Sequence, residues 1–353
     1  MKIIITGGAG FVGSSICLEL KNKYPHYDII AFDNLKRRGS ELNLIDFKRA
    51  NIEFVHGDIR NKEDLDALGS FDVLIEASAE PSVTAGLDSD PTYVINNNLY
   101  GSINCFNACV KCNARLVFLS TSRVYPIKAI ENANYEELPT RFNFSKQQTS
   151  AGISSRGVSE SLNLEGERSF YGTTKLASEL FIREYASFYN LKAAITRFGV
   201  IAGPRQMGKT DQGVVTLWMA KHYWKSPLKY IGYGGFGKQV RDVLHIKDVV
   251  RLTDMQIHDM DKFDGKIYNA GGGLENSASL QEMTAICEKI TGNSIDIDSI
   301  PKTRAADLRI YITDNAKIRS DIGWKPEFTL ENVFEDIYNW IKANENTLSL
   351  ILK

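Results

Sequence analysis

The chain has 353 residues and a formal net charge of −1, long enough for one large core with a smaller lobe beside it, and without a broad basic field to favour nucleic acid or an anionic membrane as partner. Its apolar runs fall short of the roughly 20 residues that a bilayer span needs, and it enters a strand pattern at once without a signal-peptide core, so a cytoplasmic protein is expected. Five cysteines do not make a disulfide framework in a chain this long.

Short apolar runs alternate with amphipathic stretches over the first two hundred residues. Ile3–Ile5, Ile29–Phe32, Glu53–Val55, Val73–Ile75, Leu116–Leu119 and Ala193–Thr196 read as strands, with helices in the gaps. This alternation predicts an α/β fold of βα repeats on a parallel sheet, with ligands at the carboxyl ends of the strands. Cys105, Cys109 and Cys112 have the spacing of an iron–sulfur ligand set, yet they also fall at i, i+4 and i+7 of a predicted helix over Asn98–Val110. They read as small apolar residues on one buried stripe, and no metal is expected.

From about 127 to 168 the pattern breaks into a polar stretch, including Ser145-Lys146-Gln147-Gln148-Thr149-Ser150. A loop of that length joining two candidate catalytic segments is expected to be a lid. After Arg197, Gly203-Pro204 and the glycines of 232–237 punctuate irregular segments between a helix near Val214–His222 and another beginning near Ile246. Ser279-Leu280-Gln281-Glu282 is a capping box, and Gly292 closes the helix it opens. The expected division is 1–200 with 240–273 as a cofactor-binding domain, and 201–239 with 274–345 as a substrate-binding lobe.

Two segments carry most of the chemistry. Thr6-Gly7-Gly8-Ala9-Gly10-Phe11-Val12-Gly13 directly follows the first strand. Its glycines let backbone amides approach a pyrophosphate, and the amino end of the next helix adds roughly half a positive charge. Tyr171-Gly172-Thr173-Thr174-Lys175 places a phenol and an ammonium one helical turn apart. A phenol titrating near pH 10 needs a shift of about three units, about 4 kcal/mol, to act as a base at neutral pH, and a neighbouring ammonium supplies part of it. Thr121 or Ser122, at the carboxyl end of a strand, can hydrogen-bond a hydroxyl undergoing oxidation.

Asp33 ends the second strand, where a carboxylate accepts ribose hydroxyls and repels a 2′-phosphate, so NAD is expected over NADP. Lys36, Arg37 and Arg38 follow closely, either to attract such a phosphate or as a solvated loop. Asp58 reads equally as a contact to the adenine amino group and as a helix cap.

The combination of Thr6-Gly7-x-x-Gly10-x-x-Gly13, Asp33, Ser120-Thr121-Ser122-x-Val124-Tyr125, Tyr171-x-x-x-Lys175 and Arg197 resembles the extended short-chain dehydrogenase/reductase family of nucleotide-sugar enzymes. The resemblance implies a Rossmann-type doubly wound parallel sheet with a smaller α/β substrate-binding lobe, and Thr121, Tyr171 and Lys175 as catalytic residues. It implies a cofactor site built from Gly7, Gly10, Phe11, Val12, Gly13, Asp33, Asn34, Asp58 and Ile59. Ala77, Ser78, Ala79, Asn98 and Lys175 complete it. Gly237-Lys238-Gln239-Val240-Arg241-Asp242-Val243-Leu244-His245, with Asp211-Gln212-Gly213 upstream, looks more narrowly like the branch that epimerises CDP-sugars at carbon 2. In that branch the stretch containing Arg241 binds the nucleotide diphosphate, as suits a guanidinium facing phosphate oxygens. The remaining expected substrate contacts are Glu80, Ser122, Arg123, Gln212 and Gln239, with Arg205 and Arg309 as assistants or simple surface charges. A homo-oligomer, dimer or tetramer, is expected.

The chain also departs from that family's pattern. Val200 stands where many relatives carry asparagine, and Glu76-Ala77-Ser78-Ala79-Glu80 replaces His-x-Ala-Ala. Related dehydratases and decarboxylases place carboxylic acids just after the catalytic threonine or serine. Here those positions hold Ser122 and Arg123, which favours oxidation followed by re-reduction, hence epimerisation. A reductase with exchangeable NADPH is the alternative, against which Asp33 argues. A non-enzymatic NAD-binding relative would have no need for Tyr171, Lys175 and Thr121 together.

Overall fold

The computed structural model describes residues 1–87, 89–208 and 212–353. Asp211, grouped above with Gln212 and Gly213, lies outside them. The chain forms two compact units, one of Met1–Val124, Ser169–Arg197 and Val249–Tyr268, the other of Tyr125–Arg168, Phe198–Asp248 and Asn269–Lys353.

All six expected strands form in the first unit: β1 (Lys2–Thr6), β2 (Asp28–Asp33), β3 (Glu53–His56), β4 (Val73–Glu76), β5 (Arg115–Thr121) and β6 (Ala193–Phe198). With Ile267–Ala270 they make a seven-stranded parallel sheet in the order Ile267–Ala270, β6, β5, β4, β1, β2, β3. Strand order reverses at β1, so the carboxyl ends of β1 and β4 flank the switch point where α/β sheets bind ligands. Ile3, Ile4 and Ile5 are completely buried, as are Val73, Leu74 and Ile75. Such continuous apolar runs suit strands covered on both faces.

Helix α1 (Phe11–Lys23), α2 (Gly101–Cys112) and α3 (Phe170–Tyr189) belong to this unit. Cys105, Phe106 and Cys109 of α2 lie in its core with Leu74, Leu116 and Phe118, and the Phe106 ring meets that of Phe118 edge-on with centroids 6.0 Å apart. Burial pushes the Cys105 and Cys109 thiols up, as befits inert packing residues. Cys112, at the end of the stripe, is half-buried. Just before α2, Asn96–Tyr100 forms a π-helical turn, which the apolar pattern does not announce.

In the second unit, β7 (Val200–Ala202), β8 (Val240–His245), β9 (Ser277–Ser279) and β10 (Ile310–Tyr311) form a mixed sheet centred on β8. Strands β7 and β10 pair with β8 in parallel, and β9 pairs antiparallel. Helices α4 (Val214–Tyr223), α5 (Leu280–Thr291) and α6 (Leu330–Ala343) pack on one another. The capping box at Ser279 and Glu282 forms, and Gly292 ends α5 in a left-handed conformation.

Two expectations change. Residues 240–248 group with the second unit because Val240–His245 is the strand around which its sheet is built. Residues 125–168 also group there, and they are not the irregular loop that their polar pattern predicts. They fold into a helical turn (Ile127–Glu131) and two hairpins, Tyr135–Glu137 with Phe142–Phe144 and Ile153–Ser154 with Gly157–Val158. The Phe142 N–H donates to the Lys238 carbonyl and the Val158 N–H to the Ile312 carbonyl, tying both hairpins into that unit. Pieces of two or three residues are too short to show periodicity.

Candidate active site

The glycine turn sits at the switch point. Gly7 has φ 63°, and a Cβ there would lie 2.7 Å from the Ala77 carbonyl oxygen at the end of β4. A Cβ on Gly13 would lie 2.2 Å from the Gly7 oxygen, so α1 closes on the turn only with hydrogen at that position. Gly10 is the N-cap of α1 and no side chain caps that helix. The first-turn amides of Phe11, Val12 and Gly13 therefore face outward as donors for an anion.

Asp33 accepts the N–H of Ala9 at 3.1 Å and of Leu35 at 2.7 Å, tying the end of β2 to the turn. Burial raises its carboxyl above the ordinary range, and the N–H groups of Leu35, Ala9 and Gly10 oppose that. With about four lone-pair positions on a carboxylate, capacity remains for ribose hydroxyls. Of the basic trio, the Lys36 ammonium lies 3.2 Å from the centroid of the Tyr93 ring, a cation–π contact.

Asp58 does not cap the helix Lys62–Asp66, whose N-cap is Asn61. Its carboxylate accepts from Arg60 Nε at 2.9 Å and Nη2 at 2.6 Å, and from Asn34 Nδ2 at 2.9 Å. Those bonds, Arg60 foremost, hold its carboxyl down at about 2. Asn34, Lys36, His56, Asp58, Arg60 and Asp64 line a cleft of about 470 Å³. The Ile59 side chain is buried in the core, where a Cβ on Gly101 would meet its Cδ1 at 2.5 Å. Fully buried Asn98 clamps the Glu80 backbone, accepting its N–H at 2.7 Å and donating to its carbonyl at 3.0 Å. Asn98 thus shapes the loop after β4, on which Ala77, Ser78, Ala79 and Glu80 stand. The π-turn leaves the Asn98 carbonyl to accept hydroxyls from Ser102 and from Ser178 of α3.

Strand β5 ends at Thr121, and the turn Ser122–Val124 follows. Thr121 is buried and its Oγ1 accepts the Arg123 N–H at 3.2 Å. Ser169 caps α3, its Oγ accepting the Gly172 N–H at 3.2 Å. A Cβ on Gly172 would lie 2.0 Å from the Arg123 carbonyl oxygen, so glycine lets the first turn of α3 close on the end of β5. That approach packs the helix that carries Tyr171 against the Ser122–Val124 turn.

One turn below, Lys175 is 2% exposed and donates from Nζ to Glu76 Oε2 at 2.9 Å, with Glu76 completely buried at the end of β4. Another turn on, Glu179 accepts from Ser120 Oγ at 2.5 Å and from Arg197 Nη2 at 2.7 Å. Sequence reading noted Glu76 only as a departure at the end of its strand, without a partner, and missed Glu179. The signals were an acid closing an otherwise apolar strand and a third polar residue at i+8 on the helix face of Tyr171 and Lys175.

In the second unit, the register Val240↔Ile310 brings Gln239, Arg241 and Arg309 to one end of its sheet. Gln239 is buried and donates from Nε2 to the Ile231 carbonyl at 2.8 Å. Arg241 donates to Asp307 Oδ1 at 2.7 Å and to the Val240 carbonyl at 2.7 Å. The Arg309 guanidinium lies over the rings of Tyr135 and Tyr233, 4.1 and 5.2 Å from their centroids. Gln212 and Arg205 instead lie on the segment joining β7 to α4, with Arg205 at φ 74°.

The pattern of the NAD dependent epimerase/dehydratase family matches residues 3–271. The chain belongs to that family. It is 31% identical to the CDP-paratose 2-epimerase of Salmonella typhi, over 97% of this chain and 100% of that one. A putative UDP-glucose 4-epimerase of Methanocaldococcus jannaschii is 30% identical, over 98% and 100%. Among solved structures, the Thermotoga maritima UDP-glucose 4-epimerase with UDP-glucose has a TM-score of 0.78 at 25% identity, covering 98% of this chain and 100% of that one. The Bacillus cereus UDP-glucuronic acid 4-epimerase, in complex with UDP-glucuronic acid and NAD, has a TM-score of 0.79 at 24% identity, over 97% and 99%. NAD is the cofactor, and the chain is an enzyme of the epimerase type. The first unit fits that cofactor: Gly7 and Gly13 leave space that a Cβ would fill, α1 offers uncapped amides, and Asp33 closes β2. Among the described residues, no helix is long and apolar enough to cross a membrane.

Proposed function

We propose that this protein inverts a CDP-activated sugar at carbon 2, converting CDP-paratose to CDP-tyvelose through a transient 2-keto sugar. The observation that carries the reaction class is the end of β5. There the first turn of the helix that carries Tyr171 and Lys175 closes on the Arg123 carbonyl, two residues past Thr121, and the residues after Thr121 are Ser122 and Arg123. Neither can perform the extra proton transfer of a dehydration or decarboxylation. The substrate rests on the full-length likeness to CDP-paratose 2-epimerase and on the stretch Gly237–His245.

In this reading Tyr171 takes the proton of the sugar hydroxyl, Thr121 orients that hydroxyl, and Lys175 keeps positive charge one turn from the phenol. NAD, when bound, supplies a reversible hydride acceptor. Gln239, Arg241 and Arg309 provide donors for the nucleotide diphosphate, where a guanidinium matches paired phosphate oxygens. The keto sugar turns and is reduced on its other face. A 4-epimerase of UDP-sugars is the second reading, favoured by the likeness to the Methanocaldococcus jannaschii protein.

Incubation with CDP-, UDP-, GDP- and dTDP-sugars, followed by analysis of configuration, separates the two. Inversion of CDP-paratose at carbon 2 supports the first reading, and inversion of a UDP-hexose at carbon 4 replaces it. Cytoplasmic residence and self-association belong to the same proposal. Exposed Leu180, Phe181, Phe188 and Tyr189 along α3 support self-association.

A further inference from the structure

The central strand β4 is apolar until its last residue, Glu76, which is completely buried between Thr6 of β1 and Phe118 of β5 in the sheet register. Glu76 Oε2 accepts from Lys175 Nζ at 2.9 Å. The Phe118 ring covers that ammonium with its centroid 4.4 Å away. Glu76 Oε1 is buried and has no hydrogen-bond partner among the described residues. A carboxylate in so dry a place is costly unless paired. Burial raises Glu76 above the ordinary carboxyl range, and Lys175 opposes that. Cys105 of α2 also feels that carboxylate, and its thiol stays protonated through burial and the Glu76 charge.

We propose that Glu76 is a positioning residue for Lys175: it holds the ammonium at the carboxyl end of β4 and offsets its charge, so that the pair sets the field at Tyr171. The proposal rests on the reading of Tyr171 and Lys175 as the acid–base machinery. A lone ammonium one turn from the phenol would favour the phenolate strongly. A carboxylate bonded to that ammonium cancels part of the field, because opposite charges act on a third group as a dipole.

The test compares full-length wild type, Glu76→Gln, Lys175→Met, the double variant and Tyr171→Phe. Glutamine keeps an acceptor for Lys175 Nζ and removes the charge. In Glu76→Gln the acidic limb of the pH–rate profile moves to lower pH by about half to one unit. In the Lys175→Met background Glu76, completely buried and without its cation, takes up a proton, so the same substitution removes no charge and leaves the limb in place. A limb that superimposes on wild type, or a shift that persists without Lys175, overturns the proposal. Thermal unfolding gives a readout that needs no turnover. The two single variants each lower Tm, and the double variant falls short of their sum, because removing one partner strands the other. If Tyr171→Phe keeps full turnover, the acid–base reading fails by itself. The pair is then judged by unfolding alone, and additive Tm losses overturn it.

Discussion

Glu179 and Arg197 form an ion pair wholly inside the first unit, with Oε2 2.7 Å from Nη2 and the two side chains 2% and 4% exposed. The same carboxylate accepts Ser120 Oγ, next to Thr121, so it braces the end of β5 against α3 and β6. Removing one partner of such a pair costs about 3–5 kcal/mol, because the other charge stays buried. Glu179→Ala should therefore lower unfolding free energy by about that amount in urea titrations, and Glu179→Gln by less. An unchanged midpoint in Glu179→Ala would show that Arg197 finds another partner.

What made much of the first unit legible was local. Strands β1 to β6 stand out because an apolar run between turn residues is a short-range signal, and the glycine turn and the Tyr171–Lys175 spacing lie within single segments. What stayed hidden depends on distant partners or on backbone detail. Glu76 and Lys175 meet from positions 99 residues apart, and no local pattern links them. The π-turn at Asn96–Tyr100 is a change of hydrogen-bond register within a sequence that reads as ordinary helix. Strand β8 runs from Val240 to His245 and looked like a return to the first unit. Its neighbours β7, β9 and β10 are too short to be seen beforehand.

The glycine turn and Asp33 lead to a second expectation. A catalyst that recovers its hydride in each cycle gains by keeping its cofactor, so the purified protein should carry NAD, released on heating and identified by chromatography. Asp33→Ala removes the acceptor at the end of β2 and should weaken retention. Gly13→Ala, whose Cβ would fall 2.2 Å from the Gly7 oxygen, should abolish it. Protein isolated empty and preferring NADPH would turn the epimerase into a reductase.

Asp58 and Arg60 predict a window of acid sensitivity. The folded carboxyl is held at about 2 against 3.8 ordinarily, chiefly by its Arg60 hydrogen bonds. A group depressed on folding stabilises the protein above its unfolded pKa and loses that contribution as pH falls toward the folded one. Wild type should lose Tm more steeply than Arg60→Ala between about pH 4 and pH 2. Parallel curves would mean that Arg60 is not the cause.

Tyr171→Phe should keep NAD bound and cut turnover by about two to four orders of magnitude, the usual contribution of a positioned acid–base group. Lys175→Met should do similar harm, since it removes the ammonium and strands Glu76 in a buried site. Near-normal turnover in Tyr171→Phe would send the search to Glu80, whose backbone Asn98 holds in place.

The proposed route through a keto sugar makes a prediction about isotope. Hydride taken from the sugar carbon and returned to its opposite face never exchanges with solvent, whereas the hydroxyl proton handled by Tyr171 does. CDP-tyvelose formed from CDP-paratose in heavy water should therefore contain no deuterium at carbon 2. Mass spectrometry of the isolated sugar reads this directly, with exchange at the hydroxyl reversed by returning the product to ordinary water. Deuterium retained at carbon 2 would mean that a base removes a proton from carbon itself. Ser122 and Arg123 would then have to be reconsidered, and hydride transfer as the reaction class would be overturned.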